Sequence, residues 1–520
     1  MIPVVTAQEM RKIDEETIRD FIPGPKLMEN AGSGVAAEIV RNFKLKKRAS
    51  VVVICGKGNN GGDGFVVSRI LKRKGYSVKT YLLGKVDEVK GDAAVHLEKC
   101  RRSGIRVKQV EEGNLSDLEG AVAKADLIVD AIFGTGFKGE PRGLPRRVIE
   151  LINTSGAPKV AIDIPSGVDS STGSASVAVR ADLTVTMALP KRGHLLFPGR
   201  AMTGEIVVHD IGVPPEVVVR AGLKTFILTR SDVITAIPER EPQAHKWTCG
   251  FVAAICGSTG FTGAATLTSI SALRAGAGVV TLAIPASLNP ILEVKLTEVM
   301  TLPVEETRQG TLSTAARAQL TEFIARADAV AIGPGLSQNP ETVDLVRELV
   351  PKIGKPCVLD ADGINAFAGK ADLLKGLDFP LVITPHAGEA ARLLGVEKQD
   401  ILNNPIEFSR HVAQDLGLIL VLKGAPTVIA SPDGYVFVNP TGNQGLATAG
   451  SGDVLTGIIA GLLAQGSVPL EAACAAVFIH GYLGDMLLEE KGYYGFLAGE
   501  LSERIPQAIA SIFSSEGQRP

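Results

Sequence analysis

Short runs of aliphatic and β-branched residues alternate with stretches of helical spacing, and this alternation constrains the fold more than any other feature. In the first two hundred residues the strand-like runs lie at 51–55, 78–83, 127–132, 159–163 and 183–187. Runs that are apolar throughout are typical of strands buried on both faces, and intervening helices supply the cover. The pattern predicts an α/β fold with a parallel sheet.

The same alternation resumes after a polar segment that contains two prolines, "LTRSDVITAIPEREPQAHKW" (228–247). Further strand-like runs lie at 251–256, 279–284, 329–332, 356–359, 381–384, 418–422 and 427–430. A chain of 520 residues is too long for one ordinary core. We therefore predict two three-layer αβα domains, one over 1–222 and one over 223–520.

Charge and composition exclude several classes of partner. The 54 basic and 56 acidic residues nearly cancel, and aromatics make up 5% of the chain, so neither a basic field nor a base-stacking surface indicates nucleic acid. The six cysteines form no CxxC pair, which favours buried thiols in a reducing compartment. With no signal-like start and no apolar run near the roughly 18 residues of a membrane span, we expect a cytoplasmic protein without membrane contact. We also expect a homo-oligomer.

The stretch "VVVICGKGNNGGDGFVVSRIL" (51–71) joins a strand-like run to a helix-like one through a glycine-rich loop. Clustered glycines indicate that the backbone must approach something closely. A helix that starts directly after such a loop presents free N–H groups, which suit a phosphate. We predict a phosphate-binding helix start here, with Asp63 beside it.

Polar residues end several strand-like runs of the first domain, in "DAIFGTGFKGEPRG" from 130, "DIPSGVDSSTG" from 163 and "PKRGHLLFPG" from 190. Loops at the carboxyl ends of parallel strands meet in one crevice. The oxygen donors expected to converge there are Asn60, Asp63, Asp130, Asp163 and Ser166. Such donors suit a hard cation such as potassium or magnesium rather than zinc. The alternative that Asp130 and Asp163 only cap the following helices stays open.

"GNNGGDG", "DAIFGTG", "DIPSG" and "KRGHLLFPG" together resemble the NAD(P)HX epimerase family over roughly residues 1–220. That family has a Rossmann-like fold and interconverts the two epimers of hydrated NADH or NADPH. The resemblance implies that potassium (K+) is held by Asn60, Asp130 and Ser166. The substrate contacts that it implies are Asn59, Asn60, Gly61, Gly62, Asp63, Gly134, Thr135, Gly136, Phe137, Lys138, Gly139, Glu140 and Asp163.

The group that moves the proton at the epimerised carbon is not assigned by these motifs. Asp163 is a candidate acid/base, because that carbon bears a hydroxyl and is bonded to the ring nitrogen. Lys138 is a second candidate, although a lysine in a glycine-rich loop is more often a phosphate contact or simply solvated.

In the second domain, "TGNQGLATAGSGDVLTGIIAGLLAQG" (441–466) runs from small residues through "AGSGD" into an apolar helix. Free N–H groups at this helix start favour the charge of a transferring phosphoryl group. Asp453 stands there as a carboxylate able to take a proton from an attacking hydroxyl. The loops "AIGPGL" (331–336), "LDADGINAF" (359–367), "TPHAGEAARL" (384–393) and "VLKGAPTVIA" (421–430) also follow strand-like runs. For His386, ligand contact and structural roles both stay open.

These motifs resemble the ribokinase-like fold, and in detail the ADP-dependent NAD(P)HX dehydratase family, over about 226–510. The resemblance implies contacts to the hydrated dinucleotide from Ala265, Gly335, His386 and Asp453. It also implies contacts to ADP or AMP from Lys423, Gly424, Ala425, Pro426, Thr427 and Gly452. ADP would be the phosphoryl donor, with magnesium (Mg2+) at its phosphates. The sequence departs from the family pattern at Trp247, Cys256, Ala387 and Gln444, none of them a proposed catalytic group.

Both resemblances lead to one prediction: a bifunctional enzyme that epimerises R- and S-NAD(P)HX and dehydrates the S epimer, with Asp163 and Asp453 as the catalytic groups. Its partners would be NADHX, NADPHX and ADP. Two alternatives stay open. The second domain is a small-molecule kinase of the hydroxymethylpyrimidine or thiazole type, or the first domain is a non-catalytic ligand-binding module.

Overall fold

The computed structural model describes residues 1–514 and separates into two compact units. One unit is Pro3–Leu223; the other joins Met1–Ile2 to the chain from Lys224 onward. The first two residues belong with the later unit because the N-terminal ammonium pairs with Asp232 at 2.9 Å.

In the N-terminal unit, strands and helices alternate as the sequence predicts. After the short strand β1 (Ile2–Pro3), the elements are α1 (Ala7–Asp20), α2 (Gly24–Asn42), β2 (Ser50–Cys55), α3 (Asn59–Arg73), β3 (Ser77–Leu83), α4 (Gly91–Arg102), β4 (Val107–Val110), α5 (Ser116–Val122), β5 (Leu127–Ala131), α6 (Gly143–Thr154), β6 (Lys159–Ile162), β7 (Leu183–Met187), β8 (Glu205–His209) and α7 (Pro215–Arg220). Three-residue and four-residue 3-10 helices lie at Val86–Glu88, Arg192–His194 and Gly199–Met202.

The seven strands β2–β8 form one parallel sheet in the order β4-β3-β2-β5-β6-β7-β8. Side chains of α2, α3 and α4 pack on one face, and those of α5 and α6 pack on the other. The strand order reverses between β2 and β5, which is the Rossmann-type switch point where the carboxyl ends of strands leave a crevice.

The C-terminal unit contains most of the remaining elements. They are β9 (Thr225–Ile227), α8 (Arg230–Ala236), β10 (Phe251–Ile255), α9 (Thr262–Arg274), β11 (Val279–Pro285), α10 (Asn289–Lys295), β12 (Met300–Val304), α11 (Arg317–Ala325), β13 (Ala329–Ile332), α12 (Pro340–Leu349), β14 (Cys357–Leu359), α13 (Asp362–Asn365), β15 (Leu381–Ile383), α14 (Ala387–Leu394), α15 (Lys398–Asn403), α16 (Pro405–Leu416), β16 (Ile419–Leu422), β17 (Val428–Ala430), β18 (Val436–Val438), α17 (Ser451–Ala464), α18 (Pro469–Lys491) and α19 (Ala498–Ser514).

Its 11-stranded sheet has the order β1-β9-β18-β17-β16-β15-β14-β13-β10-β11-β12. Strands β10–β16 are parallel to one another. Strand β17 runs antiparallel to both of its neighbours, β16 and β18. Helices α8, α9 and α17–α19 share one large core with one face of the sheet, while α14 and α15 pack against Leu422 on the other. The predicted arrangement of two three-layer αβα domains is confirmed.

Helix α18 is long and apolar enough to cross a membrane by length and composition alone. Within the described residues 67% of its most apolar window is buried, and its side chains belong to the core of the C-terminal unit. Core helices of this kind are hydrophobic on nearly every side because they are covered on nearly every side.

Candidate active sites

A cavity of about 940 Å³ opens at the switch point of the N-terminal sheet. The predicted site residues that line it are Asn59, Asn60, Asp63, Gly134, Thr135, Gly136, Phe137, Lys138 and Asp163. Gly61, Gly62, Gly139 and Glu140 do not line it. The rings of Phe133 and Phe137 stack with centroids 4.6 Å apart on one wall. The cavity therefore offers a flat aromatic wall beside several carboxylates.

Asp163 is the most heavily bonded of these carboxylates. It accepts hydrogen bonds from Thr135 and from Thr186 Oγ1 (3.0 Å), and it pairs with the ammonium of Lys191, whose side chain is 1% exposed. Burial alone would raise the pKa of Asp163, but the adjacent Lys191 holds it at about 2. Its backbone has φ +66°, a conformation that non-glycine residues adopt where the surroundings enforce it. Asp163 is thus ionised at neutral pH.

His194 fixes the backbone around this ion pair. Its Nδ1 accepts from the Lys191 N–H at 3.0 Å, so Nε2 carries the proton and donates to the Asp163 carbonyl at 2.8 Å. Burial lowers the pKa of His194 to about 4, and the ring stays neutral at pH 7. Sequence reasoning missed Lys191 and His194, although both lie in the quoted "KRGHLLFPG" string.

The three residues predicted to hold potassium are joined through Phe133. Ser166 Oγ donates to Asp130 Oδ1 at 2.6 Å and lies 3.2 Å from the Phe133 carbonyl oxygen, to which Asn60 Nδ2 donates at 2.8 Å. Burial raises the pKa of Asp130 to about 6. Asn60 Oδ1 is buried and has no hydrogen-bond partner among the described residues. An unpaired amide oxygen beside a carbonyl and a carboxylate fits a hard cation such as potassium.

In "GNNGGDG", Gly61 and Gly64 serve packing, whereas the sequence predicts that they belong to a loop that approaches a ligand. Helix α3 begins at Asn59, so these glycines lie in its first turns. A Cβ on Gly61 would lie 1.9 Å from the Gly56 carbonyl oxygen, and one on Gly64 would lie 2.7 Å from Cys55 Sγ. The glycines let α3 press against the end of β2. The phosphate prediction then rests on the free N–H groups at the start of α3, beginning at Asn59.

In the C-terminal unit, Asp453 lies in the first turn of α17, just after Gly450, which has φ +89°. Thr268 Oγ1 donates to the Asp453 carbonyl at 3.2 Å and ties α17 to α9. Burial raises the pKa of Asp453 to about 7, and the nearby charge of Asp360 adds to the effect while Lys423 opposes it. A carboxyl with this pKa is suited to general base chemistry near neutral pH.

Lys423 lies beside the Asp453 carboxyl and forms an ion pair with the buried Asp360. Sequence reasoning had not singled out Asp360 within "LDADGINAF". The Lys423 Nζ is 2.7 Å from Asp360 Oδ1 and 3.8 Å from Glu389 Oε2. Thr456 Oγ1 of α17 donates to the other Asp360 oxygen at 2.8 Å. Burial opposes the charge on Lys423, but these carboxylates outweigh it and raise its pKa. A Cβ on Gly452 would lie 3.4 Å from the Lys423 Nζ.

His386 has a structural task whether or not it contacts a ligand. Its Nδ1 accepts from the N–H groups of Gly388 (2.9 Å) and Glu389 (3.2 Å), which caps α14. The strand leading to Lys423 is joined to this cap, since Lys423 N–H donates to the Pro385 carbonyl at 2.8 Å. The side chain is 53% exposed, and its Nε2 lies 3.5 Å from Glu389 Oε1.

Ala265 and Gly335 also come together, at the start of α9. Ser258 Oγ donates to the Gly335 carbonyl at 2.8 Å, and Gly335 has φ +66°. A Cβ on Gly335 would lie 2.8 Å from Phe261 Cβ, so only glycine fits beneath this half-exposed aromatic residue. Of the departures noted in the sequence, Trp247 lies exposed and edge-on to Phe251, and Cys256 is buried.

Fold and sites together define a two-domain α/β enzyme with one candidate active site in each domain. The profile described as YjeF-related protein N-terminus matches residues 24–193, and that of NAD(P)H-hydrate dehydratase matches residues 252–507. The chain is 45% identical to the bifunctional NAD(P)H-hydrate repair enzyme Nnr of Moorella thermoacetica, over 98% of this chain and 97% of that one. It is 39% identical to the Nnr of Thermofilum pendens over 98% and 96% of the two chains.

Among solved structures, the ADP/ATP-dependent NAD(P)H-hydrate dehydratase from Bacillus subtilis, co-crystallized with ATP/Mg2+, is 31% identical. The match covers 55% of this chain and 98% of the Bacillus subtilis chain, with a TM-score of 0.48. From its full-length relatives, the chain belongs to the family of bifunctional NAD(P)H-hydrate repair enzymes. The predicted family is confirmed, with its Rossmann-like and ribokinase-like domains, and the alternative of a thiazole-type kinase is not favoured.

Proposed function

We propose that this chain repairs hydrated nicotinamide nucleotides in two steps. The N-terminal domain interconverts R- and S-NAD(P)HX, and the C-terminal domain uses ADP to dehydrate the S epimer to NAD(P)H with release of AMP and phosphate. The observation that carries the proposal is Asp453: a carboxyl with a pKa of about 7, at the start of a buried helix, beside an ammonium.

In the C-terminal site, Asp453 takes the proton of the ring hydroxyl while that oxygen attacks the terminal phosphorus of ADP. The O–P bond to AMP breaks, and the hydroxyl becomes a phosphate ester. The C–O bond of the ester then breaks, and phosphate leaves where hydroxide would leave poorly. The adjacent ring carbon loses a proton to solvent as its C–H electrons form the new C=C bond, and the ring regains its dihydropyridine form. The free N–H groups at the start of α17 stabilise the charge of the transferring group.

The nucleotide is held by the turn after β16 and by the start of α17, through Lys423, Gly424, Ala425, Pro426, Thr427 and Gly452. Ala265, Gly335, His386 and Asp453 contact the hydrated dinucleotide. Asp360 is bound by Lys423 and Thr456. Magnesium would accompany the phosphates of the nucleotide, where it would neutralise part of their charge.

In the N-terminal site, the start of α3 (Asn59, Asn60, Gly61, Gly62 and Asp63) contacts the phosphates, and Asp163 lies at the reacting carbon. Residues Gly134, Thr135, Gly136, Phe137, Lys138, Gly139 and Glu140 complete the substrate site. Potassium would be held by Asn60, Asp130 and Ser166, where it would supply a fixed positive charge. The ionised Asp163 stabilises positive charge on the ring. We also propose that the protein works in the cytoplasm as a homo-oligomer.

The test uses an acid-prepared mixture of R- and S-NADHX with excess ADP, magnesium and potassium, and follows the return of dihydronicotinamide absorbance. The unaltered chain is expected to restore all of it. Asp453→Asn is expected to abolish the return, because the attacking hydroxyl loses its base. Asp163→Asn is expected to leave a rapid burst from the S epimer, followed by slow uncatalysed conversion of the rest.

Each result separates the two activities. The same burst and slow phase in the unaltered chain and in Asp163→Asn would make the N-terminal domain a non-catalytic module, whereas rapid and complete return in both would remove only the catalytic role of Asp163. A stable phosphorylated product from the unaltered chain, without return of absorbance, would contradict the dehydratase function and restore the kinase alternative.

A further inference from the structure

Asp14 faces the same cavity from an element that the motifs did not single out. It lies on α1, outside the residues that the N-terminal family profile matches, and lines the cavity with Asp63, Asp163 and Lys191. Within residues 1–514 its carboxyl makes no hydrogen bond and no ion pair. An unpaired carboxyl in a cavity is costly to keep as an ion.

The charges around Asp14 favour a proton on it. Lys191 is the cation whose charge lowers the pKa of Asp14, and its ammonium is committed to Asp163. The facing acids are Glu15 on α1 itself, Asp63 on α3 and Asp163 after β6. Burial raises the pKa of Asp14 to about 7, and the charges of Asp163 and Glu15 add to it against the opposing pull of Lys191.

The remaining charged groups near Asp14 do not supply a partner. Arg11, Lys57, Asp92 and Lys138 also line the cavity, and within the described residues none of the cations among them forms an ion pair with Asp14. On α7, which packs against α1, Arg220 is paired with Glu16 at 2.6 Å. Three acids therefore share one buried ammonium, and Asp163 takes it.

We propose that Asp14 is the proton donor of the epimerisation, with Asp163 as its ionised counterpart. This inference rests on the proposed function of the N-terminal domain. The reacting carbon bears a hydroxyl and is bonded to the ring nitrogen. The nitrogen lone pair forms a C=N bond, the C–O bond breaks, and the leaving oxygen takes the proton of Asp14 and departs as water.

The second half of the exchange restores the hydroxyl on the opposite face. Water attacks the cationic carbon, the C=N electrons return to nitrogen, and Asp163 accepts the proton of the attacking water. A cationic carbon needs only a weak base, and this suits a carboxylate stabilised by Lys191. Solvent then returns a proton to Asp14 and removes the one on Asp163. The carbon is inverted and the oxygen has been exchanged with water.

The experiment supplies purified R-NADHX without ADP, so that the dehydratase step is silent, and separates the epimers by chromatography in heavy-oxygen water. The unaltered chain is expected to form S-NADHX that carries solvent oxygen. Its kcat/KM should be level below pH 7 and fall tenfold per unit above it, because Asp14 must be protonated in the free enzyme and its pKa is about 7. No-enzyme samples supply the background.

Asp14→Asn is expected to lower kcat by about 10²–10⁴-fold with KM changed less than about threefold, and to remove the falling limb above pH 7. Asp14→Glu keeps a carboxyl, so it is expected to retain part of kcat and to show the fall in rate above pH 7. The matched control is Asp20→Asn, the same substitution on the exposed end of α1, which should behave as the unaltered chain. Thermal unfolding of the N-terminal domain, followed in the full chain, checks that each variant is folded.

Three results would overturn the inference: unchanged kcat in Asp14→Asn, a loss confined to KM, or epimerisation without uptake of solvent oxygen. A flat profile above pH 7 in the unaltered chain does the same even where Asp14→Asn fails to fold. Absence of any epimerisation by the unaltered chain overturns the proposed N-terminal function itself. Epimerisation that survives Asp14→Asn overturns only the role of Asp14.

Discussion

The two domains place a glycine-rich helix start at their sites, but they use it differently. At the start of α17 the motif itself carries the chemistry, because Asp453 follows directly on Gly452 and Lys423 lies beside them. At the start of α3, Gly61 and Gly64 are taken up by packing against the end of β2, and the charged groups arrive from three other segments, with Asp14, Asp163 and Lys191. A glycine-rich helix start therefore locates a site, and only in α17 does it also contain the proposed reacting group.

The two sites also differ in how deeply they bury their ammonium. Lys191 is 1% exposed and is bound to Asp163, whereas Lys423 is 22% exposed beside Asp360. Both sites hold a carboxyl with a pKa of about 7, and the proposed chemistry requires Asp14 to be protonated and Asp453 to be ionised. The sites are expected to respond to pH in opposite directions.

The largest effect is expected from removing the deeper ammonium. Lys191→Met leaves Asp163 buried without its charge partner, and the N-terminal domain should lose about 3–5 kcal/mol of unfolding free energy. Lys423→Met should cost about 1–3 kcal/mol in the C-terminal domain, because Asp360 keeps its bond from Thr456. Denaturant unfolding of both variants measures the difference.

The double variant Lys191→Met with Asp163→Asn removes the unpaired charge and should recover part of the loss. Equal destabilisation by the two single substitutions would mean that the two ion pairs are equally buried in solution. That result would remove the difference in ammonium burial between the two sites.

The pH dependence of dehydration is the next effect. Asp453 acts as an ion and its pKa is raised to about 7, so kcat/KM for S-NADHX should fall tenfold for each unit below pH 7. Asp362→Asn removes one of the charges that raise this pKa, and should move the limb to lower pH. A rate that is independent of pH between 5 and 7 would argue against Asp453 as the base.

The smallest effect concerns the glycines of α3. Gly61→Ala places a methyl group against the Gly56 carbonyl, a backbone atom that cannot move aside, and should cost about 1–3 kcal/mol. Gly58→Ala is the matched control, because a Cβ there meets nothing within 4 Å and its φ is −91°. Thermal unfolding of the two variants is measured without substrate under the same conditions. A lower stability of Gly61→Ala alone then shows that the glycine is needed for packing rather than for close approach of a ligand. Equal stability would contradict the packing role.

The sequence by itself determined the fold class and the location of both sites. Buried parallel strands are apolar along their whole length and their loops collect polar residues at one edge, so runs such as 51–55 and 329–332 and the loops after them are visible in the linear pattern. The strands β4, β9 and β12 escaped notice because they lie at or beside a sheet edge, where partly exposed residues replace a continuous apolar run, and the three-residue strand β18 was missed as well.

Only the tertiary structure decided which groups share a charge. Asp14 and Lys191 are 177 positions apart, and although Lys191 lies in the quoted "KRGHLLFPG" string, nothing in the linear pattern brings the two together. Their ionisation depends on burial and on neighbours brought together by the sheet, and these properties have no counterpart in local sequence. The same holds for Gly61. Position 61 must be glycine because the Gly56 carbonyl, five residues earlier, lies against the helix where a Cβ would be.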